Sequence, residues 1–428
     1  MDDDQESPKS VAHGDDPDWK PSPFPRTPVT EVPVVPEPPS RGAAIGRWTR
    51  RIALGMASVF ALGATGYAYV TKDRLQHNVP TTDVLSERPG EPPAPPADDG
   101  ATDILLVGSD ARTDAQGNAL PLRMLKQLRT ESNDGAVNTD TVIVLRVPKD
   151  GGKPSAVSIP RDTWVDVPGR GKAKINSAYG VAKAKAKAAS KLRGEGERDQ
   201  AKIERDSDTE GRRVLVQTVQ DLTQLRIDHF AEVNLLGFYL LTEALGGVRV
   251  CLNHSTEDKD SGANFRRGEQ TVSGGQALSF VRQRKNLPRG DLDRIVRQQA
   301  FLSSALHQVL SAGTLTSPST MGGLMDAVHR SIVLDPGLDL LEFAQQAKGI
   351  ASGDLAFATI PVITANGRSE DGQSIVEIDP AAVRTFVAGL AGRGGAVAAP
   401  SGGGGSAGGV APEAAPAPAA TPGVPCVN

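Results

Sequence analysis

Asp103–Arg112 reads DILLVGSDAR, and its reading decides the fold. Asp103–Val107 is a short apolar run closed by a glycine and a polar turn, the pattern of a buried strand. Asp110 follows at once, so it stands at the mouth of a sheet, where α/β folds usually meet their ligands. Further out, Thr141–Val147 (TVIVLRV) and Ser155–Pro160 (SAVSIP) repeat the pattern, the second ended by proline. His229–Val233, Val248–Leu252 and Leu355–Ile360 read as further strands. Leu215–Leu225, Leu235–Leu245, Gly322–Ser331, Leu338–Ile350 and Pro380–Leu390 read as helices, the second stopped by Gly246-Gly247. Strands alternating with helices predict an α/β fold: a three-layer α-β-α domain with a central mixed sheet.

The domain occupies 101–393 of the 428 residues. Residues 1–51 form a Pro-rich tail; its first 46 residues hold nine acids and four bases, too polar to bury a core. Ile52–Val70 carries no charge and follows Arg47, Arg50 and Arg51, which predicts one transmembrane helix with the N-terminus in the cytoplasm. Everything after Thr71 then lies outside. Residues 71–100 read as a Pro-rich, semi-rigid linker, and 394–428 as a Gly/Ala/Pro-rich tail. Within the domain, 181–213 is rich in Lys and mixed charge without apolar periodicity, and reads as a solvated insertion. Lys183, Lys185 and Lys187 are two apart, which makes no helical stripe. The net charge of −4 does not suggest a nucleic-acid binder. Cys251 and Cys426 are the only cysteines, and on an oxidising side they are expected to form a disulfide.

The chemistry concentrates in Gly275–Gln299, GQALSFVRQRKNLPRGDLDRIVRQQ, which holds six cations against Asp291 and Asp293. The Asp-Leu-Asp after Gly290 reads as a helix start, with a carboxylate free to cap it. On that helix Asp291, Arg294 and Gln298 share one face. Arg282 and Arg284 are two apart and point the same way in an extended segment. Guanidiniums grouped in this way suit a multiply charged oxyanion such as a diphosphate. Asp110 and Asp140, each at a sheet end, offer hard oxygen ligands for a cation such as Mg²⁺. Arg161, Asp162 and Lys174 add two cations and an acid. The chain lacks the P-loop, the GxSxG elbow, HExxH and the dinucleotide glycine fingerprint. Arg, Asp and a divalent ion remain, the means of phosphoryl chemistry by positioning and charge neutralisation. His229, inside a strand, reads as structural.

DILLVGSDAR, NTDTVIVLRV, SIPRD, KINSAYG, IDHFAEVNLLGF, EALGGVRV, GGQALSFVRQR and GDLDRIVRQQ together resemble the LytR-CpsA-Psr family of Gram-positive envelope enzymes. The Ala/Gly/Pro-rich composition suggests an actinobacterial member. The resemblance implies a membrane-anchored, extracytoplasmic phosphotransferase that attaches polyprenyl-diphosphate-linked glycopolymers to peptidoglycan. It implies Mg²⁺ on Asp110 and Asp140. Arg112, Arg161, Arg282, Arg284 and Arg294 would grip the diphosphate, with Lys174 and Gln298 nearby. Asp162 and Asp291 would orient the arginines or assist the attacking hydroxyl. Phe280, Leu302 and the helix at Leu235–Leu245 would contribute to a lipid pocket. Two departures stand out: Asn138 replaces a frequent arginine, and 181–213 interrupts a segment that normally runs straight into the next helix. Diphosphate hydrolysis, membrane-anchored regulation and non-catalytic binding of lipid-linked sugars are the competing readings.

Overall fold

In the computed structural model of the protein, the described residues are 79–428 apart from 97–99, 131–136, 195–198, 310, 312–313, 315–316, 340–342, 344–354 and 392–423. The expected tail 1–51, the span Ile52–Val70, most of the helix expected over Leu338–Ile350 and most of the C-terminal tail lie outside them. Among the described residues no helix is long and apolar enough to cross a membrane.

The first half of the chain runs β1 (Ala101–Ser109), α1 (Leu122–Gln127), β2 (Thr139–Pro148), β3 (Ser155–Ser158), β4 (Trp164–Val167), β5 (Gly171–Lys174), α2 (Asn176–Leu192), α3 (Gln200–Thr223), β6 (His229–Val233) and α4 (Leu235–Ala244). Then follow β7 (Val248–Leu252), β8 (Thr256–Asp258), β9 (Ala263–Phe265), β10 (Gly268–Val272), α5 (Gly274–Arg282) and α6 (Asp291–Val309). The remainder is α7 (Pro318–Ser331), β11 (Ile332–Leu334), β12 (Ala356–Thr359), β13 (Thr364–Arg368), β14 (Ser374–Glu377), α8 (Pro380–Ala391) and β15 (Cys426–Val427).

The central sheet has the order β11-β6-β1-β2-β3-β12. It is mixed: β1 is parallel to β6 and antiparallel to β2, and β12 is parallel to β3. Alternation along the strands sends side chains to opposite faces. Leu105, Val107, Val142 and Val144 pack with Leu215 and Val219 of α3 and Val383 and Val387 of α8. Ile104, Ile143 and Leu145 pack on the other face, where Leu302 and Leu306 of α6 and Val328 of α7 meet them. This is the expected three-layer arrangement. A smaller sheet, β10-β7-β15, forms its own core with α5 and α6.

Three expectations need correction. Among the described residues packing extends upstream of Ala101: Val79 and Val84 are buried, and Leu334 donates to Pro80 O at 3.0 Å while its carbonyl accepts from Thr82 N at 2.8 Å. A Pro-rich run can still dock where one strand edge offers it backbone partners. Residues 181–213 are not a solvated insertion; they form most of α2 and the first half of α3, packed on each other. Their buried face is held by charge in place of apolar periodicity. Lys183 lies 2.6 Å from Glu204 and 2.7 Å from Asp208, Tyr179 Oη donates to Asp208 at 2.5 Å, and Arg212 Nε donates to Glu232 at 2.6 Å. Lys183 and Lys187, four apart, share a helix face, while Lys185 is exposed. A Cβ on Gly180 would come within 2.0 Å of the Val137 carbonyl, so only glycine lets α2 lie this close to the entry of β2. At the far end, Cys426 pairs in register with Cys251 and the two form the expected disulfide, so the last residues of the tail are ordered as β15.

Candidate functional site

The site lies at the edge of the central sheet where β1 ends, β2 begins and β3 ends. Antiparallel pairing puts these points side by side, with Gly108 opposite Thr141 and Ile143 opposite Ser158. Ser109 then pairs with Thr139, so Asp140 is an extra residue in β2. Such a bulge re-aims a side chain, and bulges are frequent beside active sites. Asp110 follows β1 and is fixed by Asn138, whose backbone N–H donates to Oδ1 at 2.6 Å. Burial, and then the Asp140 charge, push the Asp110 carboxyl above its ordinary range, against the Asn138 hydrogen bonds.

Arg161 leaves the end of β3 and forms an ion pair and hydrogen bond with Asp140. Its Nε is 3.6 Å from Asp162 and 3.9 Å from Asp291. Burial alone would weaken its proton affinity; Asp140, Asp162 and Asp291 outweigh it and hold the guanidinium firmly charged. The β4–β5 hairpin pairs Trp164 with Lys174, which returns Lys174 to Asp162 at 3.2 Å.

The first turn of α6 completes the group. Arg294 Nη2 is 3.0 Å from Asp291 Oδ1, and Arg284 Nη1 is 4.0 Å from the same oxygen. Three guanidiniums therefore surround one carboxylate. Burial raises the Asp291 pKa despite Arg294 and Arg161, and burial lowers that of Arg294, which is 3% exposed. Arg161 Nε, Arg294 Nε, Asp291 Oδ1 and Thr139 Oγ1 are buried and make no hydrogen bond. Buried polar atoms without partners are uncommon and call for a functional reason.

Most of the predicted residues come together: Asp110, Asp140, Arg161, Asp162, Lys174, Arg284, Asp291 and Arg294. Arg112 stands close enough to Asp110 to lower its pKa and lines a cavity with it. Two residues do other work. Arg282 is the last residue of α5, not part of an extended pair with Arg284, and donates to the Leu128 carbonyl at 3.2 Å. Gln298 donates to Val281 O at 3.2 Å and ties α6 to α5. The helix-start carboxylate is Asp293, which accepts from Arg289 N at 2.9 Å and leaves Asp291 to the site. Phe280 is not a pocket wall: it is fully buried, edge-on to Phe265 at 5.6 Å, with Arg297 5.2 Å above its ring. His229 is structural as expected, 3.2 Å from Asp335. Sequence reasoning missed the polar supports behind the site. Glu232 accepts from Ser109 Oγ at 2.6 Å and binds Arg212, so α3 steadies the end of β1. An acid inside the apparent strand His229–Val233 was the available signal.

No group of three or more potential metal ligands is found among the described residues. The donor set at Asp110 and Asp140 nonetheless fits a hard cation, because two neighbouring carboxylates, one raised in pKa by burial and by the other, are relieved by added positive charge.

The LytR_cpsA_psr family model matches residues 64–390. Cell wall biosynthesis protein LcpA of Corynebacterium glutamicum is 50% identical over 292 residues, 68% of this chain and 55% of that protein. Probable cell wall biosynthesis protein LcpB of the same organism is 33% identical over 266 residues, 62% of this chain and 56% of that protein. Polyisoprenyl-teichoic acid–peptidoglycan teichoic acid transferase TagU of Oceanobacillus iheyensis is 33% identical over 218 residues, covering 50% of this chain and 59% of that protein. The chain thus spans little more than half the length of these curated relatives. A crystal structure of a Streptococcus agalactiae protein shares the fold, with a TM-score of 0.50 at 20% identity over 70% of this chain and 91% of that one.

Proposed function

The chain belongs to the LytR-CpsA-Psr family, and from that premise we propose that it moves a glycopolymer from a polyprenyl-diphosphate carrier onto peptidoglycan. The observation that carries this reading is the convergence of Arg161, Arg284 and Arg294 on Asp291, with buried guanidinium N–H groups left without hydrogen bonds. Guanidiniums match phosphate oxygens in pairs, and Asp291 and Asp162 hold them in place before a ligand arrives.

In the reaction, an acceptor hydroxyl oxygen forms a bond to the glycan-bearing phosphorus. The bond from that phosphorus to the bridging oxygen breaks, polyprenyl phosphate leaves, and the hydroxyl proton passes to water. Arg161 and Arg294 meet the charge that grows on the phosphate oxygens, and Arg284 reaches the same place from the exposed side. Asp110 and Asp140 would hold Mg²⁺, which supplies further charge neutralisation on the diphosphate when bound. The enzyme would be anchored by Ile52–Val70 with its catalytic domain outside the membrane, near its lipid donor. The Cys251–Cys426 disulfide supports that location, since such bonds persist in oxidising compartments.

The test is an assay of the full chain in detergent with a short polyprenyl-diphosphate glycan and peptidoglycan oligomers. Expected are glycan on peptidoglycan, polyprenyl phosphate in equal amount, and loss of both with EDTA. Polyprenyl phosphate without transferred glycan would identify a hydrolase. Binding of the donor with no turnover would make the protein a non-catalytic carrier.

A further inference from the structure

A cavity of about 380 Å³ opens beside the site and shares Asp110 and Arg112 with it. None of Arg161, Asp162, Lys174, Asp291 and Arg294 lines it. One wall is the face of α2 formed by Gly180, Lys183, Ala184 and Lys187, and the start of α3 adds Gln200 and Glu204. The size is within the range of ligand clefts, about 300–1,000 Å³. Small residues, Gly117, Ala119, Gly180 and Ala184, keep it open.

Its chemistry disfavours a polyprenyl chain. Burying hydrocarbon against Lys183, Lys187 and Glu204 would strip these charges of water without replacing it. A polyhydroxylated ligand replaces that water with hydrogen bonds. The cations are not equivalent. Lys183, 8% exposed, is committed to Glu204 and Asp208. Lys187 is 38% exposed and shares Glu204 with Lys183, at 2.5 Å. An ammonium has three donors, so Lys187 can turn one toward a ligand carboxylate.

We propose that this cavity is the acceptor subsite: it takes a peptidoglycan glycan strand, with Lys187 facing a carboxylate of the stem peptide and one sugar hydroxyl directed past Asp110 toward the phosphate site. The inference rests on the transferase reading and gives the α2–α3 hairpin its role in that reaction. The cavity shares Asp110 and Arg112 with the site but is lined by none of Arg161, Arg284 and Arg294, so donor and acceptor can be held at the same time.

Titration of the full chain with an uncrosslinked peptidoglycan tetrasaccharide, followed by calorimetry without donor, tests the subsite independently of catalysis. Saturable binding is expected in the wild type. Ala184→Trp, which fills the cavity from an exposed helix position, should weaken it at least about tenfold, as expected when a pocket loses its complementarity. Lys187→Met should weaken it severalfold, and should abolish the preference over the same tetrasaccharide with its stem-peptide carboxylates amidated. Lys185→Ala, on the other face of α2, should bind as the wild type does. Absence of saturable binding, or unchanged affinity in both Ala184→Trp and Lys187→Met, would overturn the proposal. So would competition by a polyprenyl-diphosphate monosaccharide, which would assign the cavity to the donor. Donor binding by the wild type without acceptor, and its weakening in Arg284→Ala, tests the diphosphate reading separately, so the two can fail independently.

Discussion

The α2–α3 hairpin and the arginine cluster use the same residue types in opposite ways. In the hairpin, Lys183, Glu204, Asp208 and Tyr179 satisfy one another, and Arg212 is matched to Glu232. Burial works against the Arg212 charge, but Glu232 dominates and holds the guanidinium charged; Lys183 is held likewise by Asp208 and Glu204. In the cluster, burial lifts the Asp291 carboxyl and weakens the hold of Arg294 on its proton, and polar atoms stay without hydrogen bonds. The first region commits these buried charges to the fold. The second keeps them for a ligand, at some expense in stability, as active sites commonly do.

Removing one charge from each region separates these roles. The largest effect on stability belongs to the hairpin. Arg212→Ala leaves Glu232 buried and unpaired and should cost about 3–5 kcal/mol in urea unfolding. The double change Arg212→Met with Glu232→Met should recover most of that loss, because the cost comes from an uncompensated charge. A small loss in the single variant would mean the pair is not buried as described.

In the cluster, the effect should fall on rate. Arg284→Ala should reduce transfer by about 10²–10³-fold, the usual cost of losing one donor aimed at developing charge. Its side chain is 48% exposed, so the urea midpoint should hardly move. Arg266→Ala, an exposed arginine away from the cluster, should leave transfer as it is. Equal rates for the two variants would remove the distinction drawn here.

Next in size is the disulfide. It closes a loop of 175 residues and holds β15 on β7. Replacing both cysteines by serine should lower stability by about 2–4 kcal/mol. Because Arg297 of α6 donates to the Asn428 carbonyl, the change should also loosen the helix that carries Asp291 and Arg294. Hydrogen exchange along α6, compared in the two proteins, measures that.

The smallest effect is a pH dependence. Burial would raise the Asp335 pKa, but hydrogen bonds from His229 and from the backbone of Phe230 outweigh it and hold the carboxyl below its ordinary value of 3.8. A lowered folded-state pKa adds stability that is complete above the unfolded value and disappears as pH falls through the folded one. Asp335→Asn should therefore flatten the acid limb of the stability curve below about pH 4 and slightly lower the plateau above it. Urea midpoints at several acidic pH values would reveal an unchanged slope if the contact contributes nothing.

Much of this was legible in the chain itself. Short continuous apolar runs, closed by Gly108 or Pro160, marked the strands of the central sheet, because a strand buried on both faces needs apolar residues at successive positions. The same locality placed Asp110, Asp140 and Arg161 at strand ends, and the spacing of Asp291 and Arg294 put them on one helical face. The tertiary structure decided the rest. It made Asp140 the bulged residue and gave the helix start to Asp293 and not to Asp291. It sent Arg282 to a carbonyl outside the cluster, and it showed that the segment 181–213, read as a solvated insertion, contributes to the packed helices Asn176–Leu192 and Gln200–Thr223. Much of this depends on partners distant in sequence: Arg282 and Leu128 are 154 residues apart, and Ser109 and the Glu232 that supports it are 123 apart. A hydrophobic residue declares its burial through periodicity. A charged residue is buried only when an opposite charge or a hydrogen bond meets it there, and that partner is supplied by the fold.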